Sequence, residues 1–307
     1  MKTYFANPKE GFLKKKKEIS KALISVIDNG NYILGENVLL FEKEFSNFLS
    51  ANKGFFISCA SGTDAITLAL LAYDFPKDSK VIMPSHTAPA SVIGVLNAGC
   101  IPIYVDTDPE DLLLSIKEIK KVIKKNNVKA ILAVHLYGNG VNIRRIKNIL
   151  GSRDIKIIED CAQSTGTIID GKQSGTLANA GCFSFFPTKN LAALGDGGGI
   201  WVPTKKLKDR LVSLRQYGWD SKRKVNISRG INSRLDELQA SILRIKLRDL
   251  INDVNKRRKI AKIYSDNLKD SYIQTNLPDF QKRFIMLSLI STTCKMFRQI
   301  DDMCGIY

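Results

Sequence analysis

Seven short runs of apolar and β-branched residues recur along the first two thirds of the chain, and each run is continuous rather than alternating. A continuous apolar run of this length is typical of a strand that is buried on both faces of a sheet. The runs cover residues 54–58, 80–84, 101–105, 130–134, 155–159, 182–186 and 199–202.

Segments with the apolar spacing of an amphipathic helix lie between several of these runs. Residues 63–73 and 115–125 each place apolar side chains on one face at that spacing. Strands that alternate with helices are typical of an α/β domain. The sequence therefore predicts an α/β fold with a mostly parallel, seven-stranded sheet between helices, and ligands in such a fold bind at the carboxyl ends of the strands.

A long amphipathic stretch follows the last predicted strand. It runs from Leu235 to about Lys262 with apolar residues at helical spacing. We expect it to leave a large domain, residues 1–245, and to lead into a small C-terminal domain, residues 246–307.

The charge is strongly positive: 47 Lys and Arg residues stand against 30 Asp and Glu residues, a net charge of +17. The basic clusters at 14–17 and 256–262 are not interleaved with aromatic residues, as stacking on nucleic acid would require. We therefore favour a solvated basic surface over a nucleic-acid partner, and such a surface suits a small diphosphate-bearing substrate.

Other partners are disfavoured by what the sequence lacks. No apolar run approaches the length that spans a bilayer and no apolar signal core follows the first charges, so we expect a cytoplasmic protein without a membrane partner. The six cysteines show no paired spacing and only two histidines exist, so neither a metal site nor a disulfide framework is predicted.

Polar groups follow three of the predicted strands. Asp160 comes directly after one strand, with Gln163 three residues later, and Lys189 follows another. Residues 61–64, SGTD, open a helix after a third strand, where free N–H groups and the helix dipole form an anion site.

Two glycine-rich segments offer rival interpretations. Residues 166–173 nearly match a phosphate-binding loop, but Gln173 stands where Ser or Thr must hold magnesium, and Asp170-Gly171 is a hairpin signal. The glycines at 195–199 precede a strand instead of opening a helix, which argues against a dinucleotide site.

An amine, a carboxylate and a phosphate cradle are together what pyridoxal 5′-phosphate requires. The lysine forms a Schiff base with the cofactor aldehyde, the carboxylate keeps the pyridine nitrogen protonated, and the helix terminus holds the phosphate. The sequence thus predicts Lys189 as the cofactor-linked lysine.

The chain also resembles the nucleotide-sugar aminotransferases of the DegT/DnrJ/EryC1/StrS family, which have pyridoxal-phosphate fold type I. The resemblance is carried by SGTDAI, EDCAQSTG, FSFFPTKNLAALGDGG and NSRLDELQASIL, in this order. It implies that Lys189 and Asp160 are catalytic, with Asp160 on the pyridine nitrogen. It further implies that Gln163 contacts the ring near its phenolic oxygen.

The resemblance also implies a phosphate site and a partner subunit. Gly62, Thr63 and Ser184 would bind the phosphate, and Asn232 would reach it from the partner, which makes the active site intersubunit and the functional unit a homodimer. Many relatives carry an aromatic residue at the position of Ala88, where it stacks on the cofactor. Here His86 either stacks in its place or is a structural loop histidine.

Two segments resemble the subgroup that installs a 3-amino group on dTDP-3-keto-6-deoxyhexoses: LRQYGWD at 214–220 and PSHTAPAS at 84–91. This implies ping-pong transamination with L-glutamate as donor, in the biosynthesis of cell-surface polysaccharide such as O-antigen. The resemblance leaves the galacto or gluco configuration of the acceptor open.

The end of the chain departs from the family pattern. From about residue 282 it does not align, so we expect an incomplete small domain, as a truncation or a shifted reading frame would leave. The alternatives to an active enzyme are a non-catalytic relative that binds pyridoxal phosphate or acts as a regulator, and an inactive truncated product. Dehydratases of the family replace the lysine with histidine, and Lys189 argues against them.

Overall fold

The computed structural model describes residues 7–49 and 54–267, together with two short strands at 273–275 and 289–291. The helices are α1 Pro8–Leu13, α2 Lys16–Asn29, α3 Glu36–Phe48, α4 Gly62–Ala72, α5 Pro89–Asn97, α6 Ile116–Lys125, α7 Ile143–Leu150, α8 Lys205–Leu214, α9 Glu237–Leu247 and α10 Leu250–Asn267. The strands are β1 Phe55–Cys59, β2 Lys80–Pro84, β3 Ile101–Val105, β4 Val128–Val134, β5 Lys156–Asp160, β6 Ile168–Ile169, β7 Lys172–Gln173, β8 Ala180–Ser184, β9 Gly198–Val202, β10 Ile273–Thr275 and β11 Leu289–Ser291.

Seven strands form one sheet in the order β1-β9-β8-β5-β4-β2-β3. The neighbours from β8 through β5, β4 and β2 to β3 pair in parallel, whereas β9 pairs antiparallel with both β8 and β1. The predicted mostly parallel, seven-stranded α/β sheet is therefore confirmed. Its parallel strands bring their carboxyl ends to a common edge.

Both faces of the sheet are buried, which explains the continuous apolar runs. Successive residues along one strand belong to different hydrophobic clusters: Ile57 packs with α4 and α8 on one side, and Phe56 packs with α3 and α9 on the other. The second side is rich in phenylalanine, and the ring centroids of Phe45 and Phe56 lie 4.6 Å apart. Helices therefore pack against both faces of the sheet whose strand ends carry the predicted site residues.

The strand predicted at 182–186 is displaced in the structure, where β8 spans Ala180–Ser184. Pairing with β5 begins at Ala180, opposite Ile158. The apolar run continues to Phe185 because that side chain is buried in the phenylalanine-rich cluster after the chain has left the parallel ladder. The apolar run therefore indicated which residues are buried, whereas the limits of the strand are set by its hydrogen bonds to β5.

The amphipathic stretch from Leu235 to about Lys262 is helical, as its apolar spacing predicts, but it is not one continuous helix. Two helices occupy this stretch, α9 and α10, with a break at residues 248–249. Asp249 lies just before α10, accepts a backbone hydrogen bond from Asp253 and pairs with Lys15 Nζ at 2.6 Å. Aspartate is a preferred residue at the start of a helix. A new helix therefore begins after Asp249, although the apolar spacing of the sequence continues across the break.

The near-match to a phosphate loop at 166–173 is a β-hairpin, as the Asp170-Gly171 signal predicts. Strands β6 and β7 pair antiparallel, and both turn residues have positive φ, 48° at Asp170 and 76° at Gly171. This left-handed pair is the conformation that a two-residue hairpin turn needs.

The predicted boundary between residues 245 and 246 stays a prediction. Leu250 and Val254, beyond it, pack in the same cluster as α3 and β8. The predicted departure from about residue 282 lies outside the described residues, apart from β11. Among the helices of the described ranges, none combines the length and the apolar character needed to cross a bilayer.

Candidate active site

Three strand ends converge on a cavity of about 220 Å³. Strand β1 leads into α4, β5 ends at Asp160, and β8 ends at Ser184 just before the loop that carries Lys189. Six of the eight sequence-predicted site residues line the cavity: Gly62, Thr63, Asp160, Gln163, Ser184 and Lys189.

The start of α4 forms one wall of this cavity. Ser61 caps the helix, since its Oγ accepts a hydrogen bond from the Asp64 backbone at 3.1 Å. The N–H groups of Gly62 and Thr63 belong to the first turn, where a helix offers no acceptor, and face none among the described residues. Ser184 contributes a hydroxyl, so this wall fits a phosphate.

The carboxylate of Asp160 is buried and held at both oxygens. Its Oδ1 accepts a hydrogen bond from the Ala162 backbone at 3.0 Å, and its Oδ2 accepts one from Ser91 Oγ at 2.8 Å. Each carboxylate oxygen offers two lone pairs, so acceptor capacity is left for a ring N–H in the cavity. Asp160 thus fits the partner of a protonated pyridine nitrogen.

The amide of Gln163 is oriented by the backbone of Tyr137. Its Oε1 accepts a hydrogen bond from the Tyr137 N–H at 2.7 Å, and only the oxygen of an amide can accept. The Nε2 group is therefore left as a donor. Tyr137 has φ of 56° in the short 3-10 turn Leu136–Gly138, and this unusual backbone directs its N–H at Gln163.

Lys189 follows β8 in a loop, and its own backbone N–H donates to Phe186 O at 2.8 Å. Burial lowers the pKa of the Lys189 amine below its usual value, while the charge of Asp160 acts in the opposite direction. A lowered pKa leaves more of the amine neutral, which a lysine needs in order to attack a carbonyl carbon.

Two sequence-predicted residues lie outside the cavity wall. His86 is exposed beside Tyr137, with Nε2 3.4 Å from the Tyr137 hydroxyl and ring centroids 6.1 Å apart. Asn232 is exposed, and its backbone forms an isolated antiparallel β-bridge with Gln216. Its neighbour Ser233 donates a hydrogen bond to Asp64 at 2.7 Å, which ties this segment to α4.

Several lining residues were missed by the sequence analysis. Thr87 and Ser91 come from the segment that follows β2 and opens α5, and Phe186 comes from the loop after β8. Ala88, whose position was expected to face the cofactor, also lines the cavity. The segment follows the carboxyl end of a parallel strand, so the rule that located Asp160 and Lys189 could also have found its hydroxyls.

A buried cluster next to the site is structural. His135, Glu159 and Cys161 lie close enough together to suggest a metal site. Glu159, however, already accepts hydrogen bonds from His135 Nε2 at 2.9 Å and from the backbone N–H groups of residues 175, 177 and 178. Burial raises the pKa of the Cys161 thiol well above its usual value. The carboxylate is saturated with donors, and the thiol disfavours the anion that binds metals.

Lys189 also lines a second cavity, of about 390 Å³. Cationic side chains outnumber acidic ones in its wall: Lys15, Lys189, Lys246, Lys256 and Arg257 stand against Asp249 and Asp253. Burial lowers the pKa of Lys246 to about 8. A partly desolvated positive charge gains from a nearby anion, so this cavity favours an anionic ligand.

The fold and this arrangement of an amine, a buried carboxylate and a helix N-terminus fit a pyridoxal-phosphate-dependent enzyme of fold type I. Comparison with known proteins identifies the family. Residues 13–305 match the model of the DegT/DnrJ/EryC1/StrS aminotransferase family, and the chain belongs to that family. The family and the enzyme class predicted from the sequence are confirmed.

Individual relatives agree with this assignment. The chain is 42% identical over 257 residues to a dTDP-3-amino-3,6-dideoxy-alpha-D-galactopyranose transaminase of Aneurinibacillus thermoaerophilus, covering 84% of this chain and 70% of the relative. It is 36% identical to a dTDP-3-amino-3,4,6-trideoxy-alpha-D-glucose transaminase of Micromonospora megalomicea subsp. nigra, covering 88% and 71%. The crystal structure of S. venezuelae DesV in complex with a ketimine intermediate superposes with a TM-score of 0.90 at 31% identity, covering 99% of this chain and 82% of DesV.

Proposed function

We propose that this protein transfers an amino group from L-glutamate to a dTDP-3-keto-6-deoxyhexose and so makes a dTDP-3-amino-3,6-dideoxyhexose for cell-surface polysaccharide. One observation carries the proposal: Lys189 lies in the wall of two cavities, one with a phosphate cradle and a buried carboxylate and one with a cationic lining. A single amine can therefore serve both a cofactor and an anionic substrate.

The cofactor is pyridoxal 5′-phosphate, as the sequence predicts and as membership of the aminotransferase family confirms. When bound, it supplies an electron sink that stabilises a carbanion at the carbon bearing the amino group. The N–H groups of Gly62 and Thr63 with the Ser184 hydroxyl would hold its phosphate, and Asp160 would accept the ring N–H. Gln163 Nε2 would donate to the ring oxygen.

Lys189 has two roles in this proposal. Its Nζ would be the amine that holds the cofactor, and once the amino donor has displaced it, the neutral Nζ would take up the proton from the donor carbon. Burial around Lys189 supports both roles, because each needs the neutral amine. In the second half-reaction the same Nζ returns a proton to the former keto carbon of the sugar.

The cationic cavity supports a nucleotide diphosphate on the acceptor. Lys246 and its cationic neighbours line the same cavity as Lys189, and a diphosphate would raise the lowered pKa of Lys246 by pairing with it. The two curated relatives, whose names include dTDP-3-amino sugars, support the thymidine nucleotide and the 3-position.

The proposal includes a homodimer with an intersubunit site. Asn232 is exposed, lies outside the cavity of its own chain and is tied to α4 through Ser233, so its amide is available to a second copy. His86, exposed beside Tyr137, stays a candidate for contact with the cofactor ring. The cytoplasmic location predicted from the sequence belongs to the same proposal.

The test uses purified protein with pyridoxal 5′-phosphate and L-glutamate. We expect an amino sugar by mass spectrometry from a 3-keto sugar nucleotide, and a borohydride-reducible cofactor adduct that is lost in Lys189→Ala but kept in Lys172→Ala, an exposed hairpin lysine. Absence of an amino sugar from every keto sugar nucleotide of a 3-keto and 4-keto panel would refute the reaction. Retention of the adduct in Lys189→Ala would assign another lysine.

A further inference from the structure

We propose that Ser91 is a positioning residue for Asp160 and that Thr87 supports it, so that two hydroxyls fix the carboxylate that faces the cofactor ring. The inference rests on the proposed function of the same site. The chain of contacts is short: Thr87 Oγ1 lies 2.9 Å from Ser91 Oγ, which lies 2.8 Å from Asp160 Oδ2.

The direction of both hydrogen bonds follows from the carboxylate. An ionised carboxylate only accepts, so Ser91 spends its one proton on Asp160 Oδ2, and the Thr87 hydroxyl must then donate to Ser91. A donor that itself accepts a hydrogen bond is polarised and binds its acceptor more strongly. Thr87 therefore strengthens the bond that Ser91 makes.

Together with the backbone of Ala162, Ser91 determines how the carboxylate is turned. The Ala162 N–H holds Oδ1 and Ser91 holds Oδ2, one donor on each oxygen. Asp160 is 5% exposed and Ser91 is 1% exposed, so both partners of this hydrogen bond are buried. Without Ser91 the plane of the carboxylate is fixed at one oxygen only.

The position of Ser91 is itself tied to the phosphate cradle. Ser91 lies in the first turn of α5, and one turn on, a β-carbon added at Gly94 would lie 2.8 Å from Ile66 Cβ and 3.0 Å from Thr63 O. Helix α5 therefore packs closely against α4, whose first turn forms the anion site. The packing of α5 against α4 therefore fixes the distance between Ser91, which donates to Asp160, and the phosphate site. A cofactor that is held at both ends requires such a fixed distance.

The experiment compares Ser91→Ala with Ser91→Thr, which keeps the hydroxyl, and with Ser213→Ala. Ser213 is a buried serine of α8 whose hydroxyl has no partner within the described ranges, so its variant removes the same atom without touching a carboxylate. The readouts are the dissociation constant of pyridoxal 5′-phosphate, the absorbance maximum of the bound cofactor, and kcat and KM for L-glutamate.

We expect Ser91→Ala to lower kcat by about tenfold to a hundredfold, as loss of a hydrogen bond to a charged group does, with KM little changed. The absorbance maximum shifts in Ser91→Ala and returns in Ser91→Thr. Thr87→Val gives a smaller change in the same direction and serves as the readout if Ser91→Ala does not fold. In an Asp160→Asn background, Ser91→Ala has little further effect, because both act through one carboxylate.

Two results would overturn the inference. In one, Ser91→Ala matches Ser213→Ala in cofactor affinity, absorbance and kcat. In the other, the effects of Ser91→Ala and Asp160→Asn multiply independently. Both can occur while the wild type still binds cofactor and aminates the sugar, so failure of this inference is distinguishable from failure of the proposed function, which would appear as a wild type without turnover.

Discussion

A β-carbon placed on Gly62 would lie 2.6 Å from Ser184 Cβ, closer than two carbon atoms that are not bonded can approach. The first residue of α4 and the last residue of β8 are therefore in direct contact. This contact brings the free N–H groups of the helix and the serine hydroxyl to one point. Glycine is required at this position because of the neighbour and not because of an unusual φ.

Gly62→Ala should weaken binding of pyridoxal 5′-phosphate by about tenfold or more. The added methyl pushes Ser184 away from the phosphate site, although alanine itself suits a helix better than glycine does. Gly11→Ala is the control, because a β-carbon at Gly11 of α1 meets no atom within 4 Å. Fluorescence titration of the apoprotein measures both affinities, and equal values would contradict the close contact.

Asp160→Asn should lower turnover by about a hundredfold or more while much of the cofactor stays bound. Asparagine has nearly the shape of aspartate and can keep the hydrogen bond from Ala162, but it lacks the charge that keeps the ring nitrogen protonated. Asp170→Asn, at the exposed hairpin turn, should retain wild-type turnover. Steady-state kinetics decide, and near-normal turnover of Asp160→Asn would remove this residue from the mechanism.

Glu159→Ala should lower the free energy of unfolding by about 3–5 kcal/mol, the usual loss when one partner of a buried polar pair is removed. His135 and three backbone N–H groups would lose their acceptor inside the protein. Glu118→Ala removes the half-buried partner of exposed Lys121 in a surface ion pair and should change the free energy of unfolding by less than about 1 kcal/mol. Urea denaturation measures both, and similar losses would show that the buried network is dispensable.

Lys246→Met should flatten the dependence of stability on pH. Burial, the largest cause, lowers the pKa of Lys246 to about 8, and Asp253 opposes the change. An unfolded lysine keeps a pKa of about 10.4, so between these two values the unfolded chain binds more protons than the folded one. The contribution of Lys246 to the free energy of unfolding therefore rises with pH through this window and is constant below it.

The measurement is urea denaturation at several pH values from 7 to 10. A smaller increase of the free energy of unfolding with pH in Lys246→Met would support the lowered pKa. Lys17→Met, an exposed substitution on α2, should keep the pH dependence of the wild type. A Lys246→Met slope equal to that of the wild type would show that burial does not perturb this amine.

The class of fold and the polar residues at the strand ends could be predicted from the amino-acid pattern alone. Continuous apolar runs indicate strands buried on both faces, because in such strands successive side chains meet different cores. Asp160, Lys189 and the opening of α4 were found because parallel strands deliver the residues after them to one edge. The hairpin at Asp170 followed from backbone preference alone, which is a property of two adjacent residues.

The pairs of side chains that meet, in contrast, depend on how the elements pack in three dimensions. Ser91 reaches Asp160 across 69 positions of sequence, and the Tyr137 N–H reaches Gln163 through a backbone conformation that its own residue type does not favour. The break before α10 likewise accompanies an ion pair of Asp249 with distant Lys15. The spacing of apolar residues indicates which faces of a segment are buried. The residues that those faces contact are determined by strand order and by helix packing, which depend on residues far apart in the chain.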